Sequence, residues 1–259
     1  MLQVAKAQVE RIRVGRLGWS LGSLAVLVAI WEVVALIAAS RYMPGPLTVV
    51  QAMVREAEAG ELWLNIGWTL YRVVVSFIIA MFIGSAIGIA LGRHPGADRF
   101  FDTWLIFFLN LPALVIIVLC YIWFGLNEAA AITAVVINKV PNVAVTMREG
   151  ARSLSKDLQE MAQAYRFGAW KTFRHVTLPQ LAPYFAAGAR SGLSLVWKIV
   201  LVVEAFGRSE GVGHQLNIGF QLFDVPMILA YALAFIIVVQ IIEMVLVQPL
   251  IARANKWRR

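Results

Sequence analysis

Long apolar segments alternate with short polar ones along this chain, and their lengths predict membrane-spanning helices. A helix needs about 20 apolar residues to cross the hydrocarbon core of a bilayer. The segments do not show the alternation of polar and apolar residues that is typical of membrane β-barrels. We therefore predict an all-α polytopic membrane protein with six transmembrane helices: Leu17–Ala39, Leu70–Leu91, Trp104–Gly125, Ala129–Val145, Tyr184–Phe206 and Met227–Ile251.

The charges predict the orientation of these helices. With 60% hydrophobic residues, the chain is too apolar for an ordinary soluble domain. Its net charge of +8 could suggest nucleic-acid binding, but the distribution of the basic residues is typical of a membrane protein with a defined orientation. Lysines and arginines cluster before the first span, in the second and fourth connections and after the last span. The positive-inside rule then places both termini in the cytoplasm.

Four regions follow from this pattern. Residues 1–16 form a basic amphipathic lead-in, and residues 17–63 contain the first span, an external proline-containing turn and a short polar helix over Thr48–Ala59. Residues 64–251 form a five-helix core that includes a cytoplasmic segment, 148–180, and residues 252–259 form a basic cytoplasmic tail.

Segment 148–180 is the most informative polar part of the chain. Ser155 is a candidate N-cap, with Asp157 in the first turn, Arg166 near the helix end and Gly168 closing it. Large apolar residues recur on one face and continue beyond the helix: Leu154, Leu158, Met161, Tyr165, Trp170, Phe173 and Val176, before Leu178-Pro179. This face must lie on lipid headgroups, on its own bundle or in a groove of another protein.

A stripe of small residues in the second span predicts close helix packing. Gly84, Gly88 and Gly92 recur at four-residue spacing, which lets two helix backbones approach closely in lipid. The sequence leaves open whether this contact lies within one subunit or between two.

Other sites of chemistry are poorly supported. The three histidines lie in different connections and Cys120 lies in a span, so we predict no metal site. The chain contains no phosphate-binding Gly-x-x-x-x-Gly-Lys-Ser/Thr motif. We find no paired carboxylates or nucleophile constellation of a membrane-bound enzyme.

The cytoplasmic segment resembles that of the membrane permease subunits of bacterial ABC importers, in the branch for nitrate, taurine, sulfonates and bicarbonate. The family pattern is roughly Glu-Ala-Ala, a glycine four residues later, and then Leu-Pro. Here it reads Glu160-Met161-Ala162, with Arg166 at the glycine position, and Leu178-Pro179. Further similar features are Tyr42-Met43-Pro44-Gly45-Pro46, Arg72, Trp123-Phe124-Gly125, Gly188-Ala189-Arg190, Glu204 and Gly211-Val212-Gly213.

The resemblance implies a type I ABC importer permease in the bacterial inner membrane, paired with a second copy of itself. A cytoplasmic ATP-binding subunit would use ATP and Mg²⁺, an extracytoplasmic binding protein would deliver a small, anionic or polar solute, and lipid would surround the bundle. This chain would bind neither cofactor nor nucleic acid. The residues that would couple the two subunits are Leu158, Glu160, Met161, Ala162, Tyr165, Arg166, Gly168, Trp170, Leu178 and Pro179.

Charged residues within the spans need partners or water, because a charge at the bilayer centre costs about 2.5–3.5 kcal/mol on insertion scales. We expect structural pairing or snorkelling for Arg72, Arg190 and Glu204. Lys139 and Lys198, with Asn110 and Asn142, are candidates to line the translocation path. Alternatively, Lys198 pairs with Glu243 or Glu204.

A self-contained secondary carrier or channel is the alternative function, and it would use the same intramembrane charges. That alternative leaves the patterned segment 148–180 without a purpose.

Overall fold

The computed structural model describes residue 19 and residues 22–249, and every regular element in this part of the chain is helical. The all-helical prediction is therefore confirmed. The helices are α1 (Gly22–Ala38), α2 (Pro46–Glu58), α3 (Glu61–Arg93), α4 (Pro95–Asn110), α5 (Ala113–Phe124), α6 (Glu128–Arg152), α7 (Lys156–Ala164), α8 (Ala169–Thr172), α9 (Leu178–Gly207), α10 (Val212–Leu222) and α11 (Val225–Ile242). The predicted lead-in 1–16 and basic tail 252–259 lie outside the described residues.

Four helices are long and apolar enough to cross a membrane: α3, α6, the helix that runs through α8 and α9, and α11 with its extension. The pair α4–α5 raises this number to five if it is one broken span, and α1 is a shorter apolar helix. The count of six spans and the location of the termini stay predictions, because the chain before residue 22 and after residue 249 contributes to both.

The third predicted span, Trp104–Gly125, is wrong as a single helix. The chain breaks at Leu111-Pro112, and α4 and α5 meet there at an angle of 93°. Leu111 and Pro112 both adopt extended backbone conformations, with ψ of 127° and 130°. A proline ring disfavours a helical conformation at the preceding residue, so the single Pro112 is sufficient to end α4.

Helix α6 lies at the centre of the bundle and is the most enclosed of the four long helices. Lys139 and Pro141, which are unfavourable in the middle of an apolar span, both lie inside this one continuous helix. Neighbouring helices can satisfy the backbone groups that a proline frees within a membrane protein.

The glycine stripe of α3 packs against α6 of the same chain. A Cβ atom added at Gly84 would lie 2.6 Å from Cβ of Val143, and one added at Gly92 would lie 2.6 Å from Cβ of Ala151. At Gly88 the obstacle is the carbonyl oxygen of Ala144. The close approach therefore occurs within one subunit. Because α6 already covers the glycine stripe, the stripe is not available as a contact surface for a second subunit.

Helix α2 confirms the predicted short polar helix with slightly different bounds. Its buried residues Val49 and Ala52 pack with Ala230 of α11. At the same contact, the Tyr231 hydroxyl donates a hydrogen bond of 3.0 Å to the Glu56 carboxylate.

Candidate functional site

Helix α7 begins and ends with two defined capping structures. The Ser155 side chain accepts a hydrogen bond from the Leu158 amide at 3.3 Å, as predicted for an N-cap. At the other end, the Phe167 amide donates to Ala162 O at 2.8 Å and the Arg166 amide donates to Gln163 O at 2.9 Å. These two bonds form a Schellman motif, which fixes the direction in which the chain leaves α7.

The residue that closes α7 is Arg166, and the prediction of Gly168 was wrong. Arg166 has a φ of +53°, in the left-handed region that glycine adopts most easily. Gly168, with a φ of −66°, precedes α8 instead and is its N-cap residue. Arg166 is also the position at which the resembled pattern has glycine, so the backbone geometry gives that preference a physical reason.

The apolar face of segment 148–180 divides into a buried and an exposed part. Leu154, Ala162 and Val176 are buried. Leu154 packs with Met147 and Leu181 in the bundle, and α7 contacts the π-helical turn Phe173–Thr177. Several large side chains remain exposed, among them Tyr165 at 75% and Trp170 at 71%. We call the exposed part the α7–α8 surface; it consists of Leu158, Glu160, Met161, Tyr165 and Trp170.

Local contacts give the α7–α8 surface a defined shape. The rings of Trp170 and Phe173 stack with centroids 6.1 Å apart, and the Lys171 ammonium lies 4.4 Å from the centre of the Phe167 ring. Because the described residues of the subunit leave the side chains of the α7–α8 surface exposed, this part of the predicted face does not pack on the described part of its own bundle.

A single helix connects this surface to the opposite end of the molecule. Residues Ala169–Gly207 form 39 residues of continuous helix, in which the π-helical turn Phe173–Thr177 precedes Leu178-Pro179. Trp170 lies at one end of this helix and Glu204 at the other.

Glu204 belongs to a buried ionic cluster at the end of the bundle that carries α10. Arg72 Nη1 lies 2.7 Å from Glu204 Oε1, and Arg72 Nη2 lies 2.6 Å from Glu128 Oε1. The exposed fractions of the Arg72 and Glu204 side chains are 1% and 0%. Arg208 also binds Glu128, at 2.8 Å. The structural pairing expected of Arg72 and Glu204 is present, whereas sequence reasoning did not identify Glu128 as a partner.

The loop before α10 completes the coordination of Glu204. The Glu204 Oε2 atom accepts hydrogen bonds from the Thr69 hydroxyl and the Gly213 amide, both at 2.9 Å. A Cβ at Gly211 would collide with the Glu204 carboxylate, and one at Gly213 would collide with the Leu201 carbonyl. Only glycine allows the loop to approach the buried charge this closely.

A second ionic cluster lies at the end of the bundle that carries α7. Arg148 of α6 binds Asp98 at 3.2 Å and Asp102 at 2.6 Å, and Arg152 also binds Asp98. These contacts attach the first turns of α4 to the end of α6. They were not predicted, although two acidic residues four positions apart on a helix are a sequence signal for such an arrangement.

The four polar residues predicted to line a path do not lie together. Lys139 is 1% exposed, and a Cβ added at Gly192 would lie 3.2 Å from its ammonium nitrogen. Lys198 is exposed on α9, and Asn142 is half-buried. Asn110 is exposed at the α4–α5 break and donates to Ile106 O at 2.7 Å.

Lys139, Lys198, Arg190 and Glu243 have no ion-pair partner within 4.0 Å among the described residues. The pairing expected of Arg190 is therefore not found, and neither is the alternative pairing of Lys198 with Glu243 or Glu204. Arg190 and Lys198 instead line one cavity between α9 and α11.

Comparisons with known proteins agree with this architecture. Residues 77–255 match the family described as "Binding-protein-dependent transport system inner membrane component". The chain is 27% identical to the putative aliphatic sulfonates transport permease protein SsuC of Bacillus subtilis, over 99% of this chain and 95% of that protein. It is 30% identical to the protein of the same name from Escherichia coli, over 73% of this chain and 72% of the relative. It is also 27% identical to the bicarbonate transport system permease protein CmpB of Synechococcus elongatus, over 78% and 74%.

Solved structures share the fold. A chain of an amino acid ABC transporter superposes with a TM-score of 0.60 at 17% identity, covering 77% of this chain and 97% of that one. A chain of the inward-facing MetNI methionine ABC transporter gives a TM-score of 0.59 at 17% identity, covering 75% and 97%. The resemblance inferred from segment 148–180 is confirmed: this chain belongs to the family of binding-protein-dependent transport system inner membrane components, the permease subunits of ABC importers.

Proposed function

We propose that the α7–α8 surface is the docking site for a cytoplasmic ATP-binding subunit, and that two copies of this chain form the membrane core of the importer. The observation that carries the proposal is the exposure of Tyr165, Trp170 and their apolar neighbours on a segment whose geometry is fixed by two caps. A fixed apolar surface with Glu160 beside it fits insertion into a groove of another protein.

In this proposal ATP and Mg²⁺ bind to the partner subunit, and the permease responds only through a displacement of its helices. Closure of the two ATP-binding subunits would displace α7 and α8. The continuous helix from Ala169 to Gly207 would carry this displacement to Glu204 and its ionic cluster, about 50 Å away at 1.5 Å per residue. Alternating access by rocking of rigid helices needs such stiff connections.

The transported solute is proposed to be small and anionic or polar, delivered by an extracytoplasmic binding protein. The names of the relatives support this class, since they include aliphatic sulfonates, taurine and bicarbonate. Lys198 would line the path, with Asn110 and Asn142 in minor positions. Lys139 would reach the path only in a conformation in which α9 moves away from it, because its side chain is now buried and lies against Gly192 of α9.

Co-purification tests the docking surface. The chain is expressed with its ATP-binding subunit and binding protein in membranes, and recovery of the ATP-binding subunit is measured after affinity purification of the permease. We expect Trp170→Ala and Glu160→Lys to reduce recovery and transport-coupled ATPase activity. Gln163→Ala is the matched control, because Gln163 is exposed on α7 but lies outside the α7–α8 surface. Equal recovery in all variants would contradict the proposal.

A further inference from the structure

An open cavity lies between α9 and α11, along the predicted fifth and sixth spans, and Arg190, Lys198 and Gln240 are exposed at it. Its volume is about 320 Å³, within the range that holds small-molecule ligands. Its polar lining comprises Arg190, Ser194, Lys198, Gln240 and Glu243, and Trp197 and Phe235 form part of its apolar wall. The two aromatic rings meet edge to face at 5.7 Å, which gives that wall a fixed shape.

No ion pair within the described part of the chain neutralises the charges at this cavity. None of Arg190, Lys198 and Glu243 has an ion-pair partner within 4.0 Å in residues 22–249. This contrasts with Arg72 and Glu204, which are fully paired in the same bundle. Two unpaired cations and one unpaired carboxylate around one cavity indicate a ligand that carries groups of both kinds.

The depth of these residues argues against a role at the membrane surface. Arg190 lies six residues after Tyr184, and Lys198 lies eight residues before Phe206, the two ends of the predicted fifth span. At 1.5 Å per residue, they are about 9 Å and about 12 Å from the nearer end of that span. Charges at that depth face water or a polar partner rather than hydrocarbon or lipid headgroups.

The positions along α9 define a compact site. Arg190, Ser194 and Lys198 follow one another at four-residue intervals, so they occupy one stripe of the helix. Their Cα atoms span about 12 Å, and the long side chains of Arg190 and Lys198 can converge on a single acidic group between them. Gln240 of α11 and Glu243, the first residue of the π-helical extension Glu243–Val247, line the same cavity.

We infer that the α9–α11 cavity binds a small organic anion that also carries a hydrogen-bond donor, with the anionic group between Arg190 and Lys198 and the donor at Glu243. The inference rests on the proposed transport function and deepens it, since it places solute contacts on α9 and on the segment that follows α11 and excludes Lys139 from the resting site. Glu243 would make the site prefer anions that carry a hydrogen-bond donor over anions that lack one.

Thiol labelling tests the site without knowledge of the natural solute. Cys120 is the single cysteine, so Ser194→Cys is introduced into a Cys120→Ala background of the full transporter in proteoliposomes. We expect labelling by both anionic methanethiosulfonate-ethylsulfonate and cationic methanethiosulfonate-ethyltrimethylammonium. Lys198→Gln and Arg190→Gln should each slow the anionic reagent about fivefold, the effect of one charge at about 4 Å in water. Glu243→Gln should slow only the cationic reagent.

Ile78→Cys is the matched control, because Ile78 is exposed on α3 and lies outside this cavity. It should react with neither reagent if it faces lipid. The inference is overturned if the Ser194→Cys protein reacts with neither reagent. It is also overturned if none of the three charge changes alters its labelling rates. ATP-dependent uptake by the same proteoliposomes separates this result from failure of the proposed function, which would abolish uptake in every preparation.

Protection experiments test the donor contact. Taurine, which carries an ammonium group, and ethanesulfonate, which does not, are added before the anionic reagent. We expect taurine to protect Ser194→Cys at lower concentration than ethanesulfonate, and Glu243→Gln to remove this difference. Equal protection by the two solutes, or protection by neither, overturns the assignment of Glu243.

Discussion

The guanidinium of Arg72 lies 2.7 Å from the carboxylate of Glu204, and neither side chain has significant contact with solvent. This pair joins α3 to the far end of the helix that begins beside Trp170. The hydrogen bonds from Thr69 and Gly213 leave no free acceptor position on Glu204 Oε2 facing the loop. The Glu204 end of the 39-residue helix is therefore attached to α3 and to the loop before α10.

Removal of Glu204 should destabilise the subunit strongly. Glu204→Ala leaves Arg72 buried with one partner fewer, and breaking a buried ion pair costs about 3–5 kcal/mol. Detergent titration in mixed micelles, followed by circular dichroism, measures the free energy of unfolding. Glu210→Ala is the control, because Glu210 is partly exposed and 3.9 Å from Arg72. Similar losses in both variants would contradict the importance of the buried pair.

Two glycines of α3 should respond oppositely to alanine. Gly84→Ala places a Cβ 2.6 Å from Val143 and 2.9 Å from the carbonyl oxygen of Val140, and overpacking of this kind costs about 1–3 kcal/mol. Gly67 has no atom within 4 Å of the new Cβ, so Gly67→Ala should stabilise the helix by up to about 1 kcal/mol. The same unfolding measurement compares the two, and a stable Gly84→Ala protein would refute the observed α3–α6 contact.

Position 166, which has a left-handed backbone conformation after α7, should be more stable with glycine than with a β-branched residue. Arg166→Gly removes a conformational cost of about 1–2 kcal/mol, partly offset by the greater freedom of glycine in the unfolded chain. Arg166→Val should destabilise the segment, because a β-branched residue at a φ of +53° is strained. Amide hydrogen exchange in α7 measures the effect: protection should follow the order Gly, Arg, Val at position 166.

Lys139 and Gly192 should be energetically coupled. In Gly192→Ala the new Cβ would lie 2.7 Å from Lys139 Cε, and Lys139→Ala removes that obstacle. A double-mutant cycle on the free energy of unfolding should give a coupling of about 0.5–3 kcal/mol. Gly188→Ala is the control on the same helix, since its nearest neighbour would be Thr146 at 3.6 Å.

Uptake by Lys139→Met at equal membrane expression tests a separate point. Reduced uptake in a stably folded variant would support a role of the ammonium when α9 moves. Unchanged uptake would remove Lys139 from the path and leave Lys198 as the lysine that contacts solute.

The sequence alone was sufficient for the features that depend on local pattern. Apolar length predicted the membrane helices, the serine at position 155 predicted the start of α7, and Glu160-Met161-Ala162 with Leu178-Pro179 predicted the family. These signals are readable because hydrophobic length, capping and motif spacing act over a few helical turns.

Other features depend on which helices meet, and only the tertiary structure decided them. The sequence of the glycine stripe is compatible with a contact within one subunit or between two, and the structure shows that the stripe packs on α6 of the same chain. The angle of 93° between α4 and α5 at Pro112 could be read only from the backbone. Lys139 and Lys198 look alike in sequence, yet one is enclosed at Gly192 and the other lines a cavity with Glu243. The physical reason is that burial and ion pairing are set by contacts between residues far apart in the chain, such as Arg72 with Glu204, which no local pattern encodes.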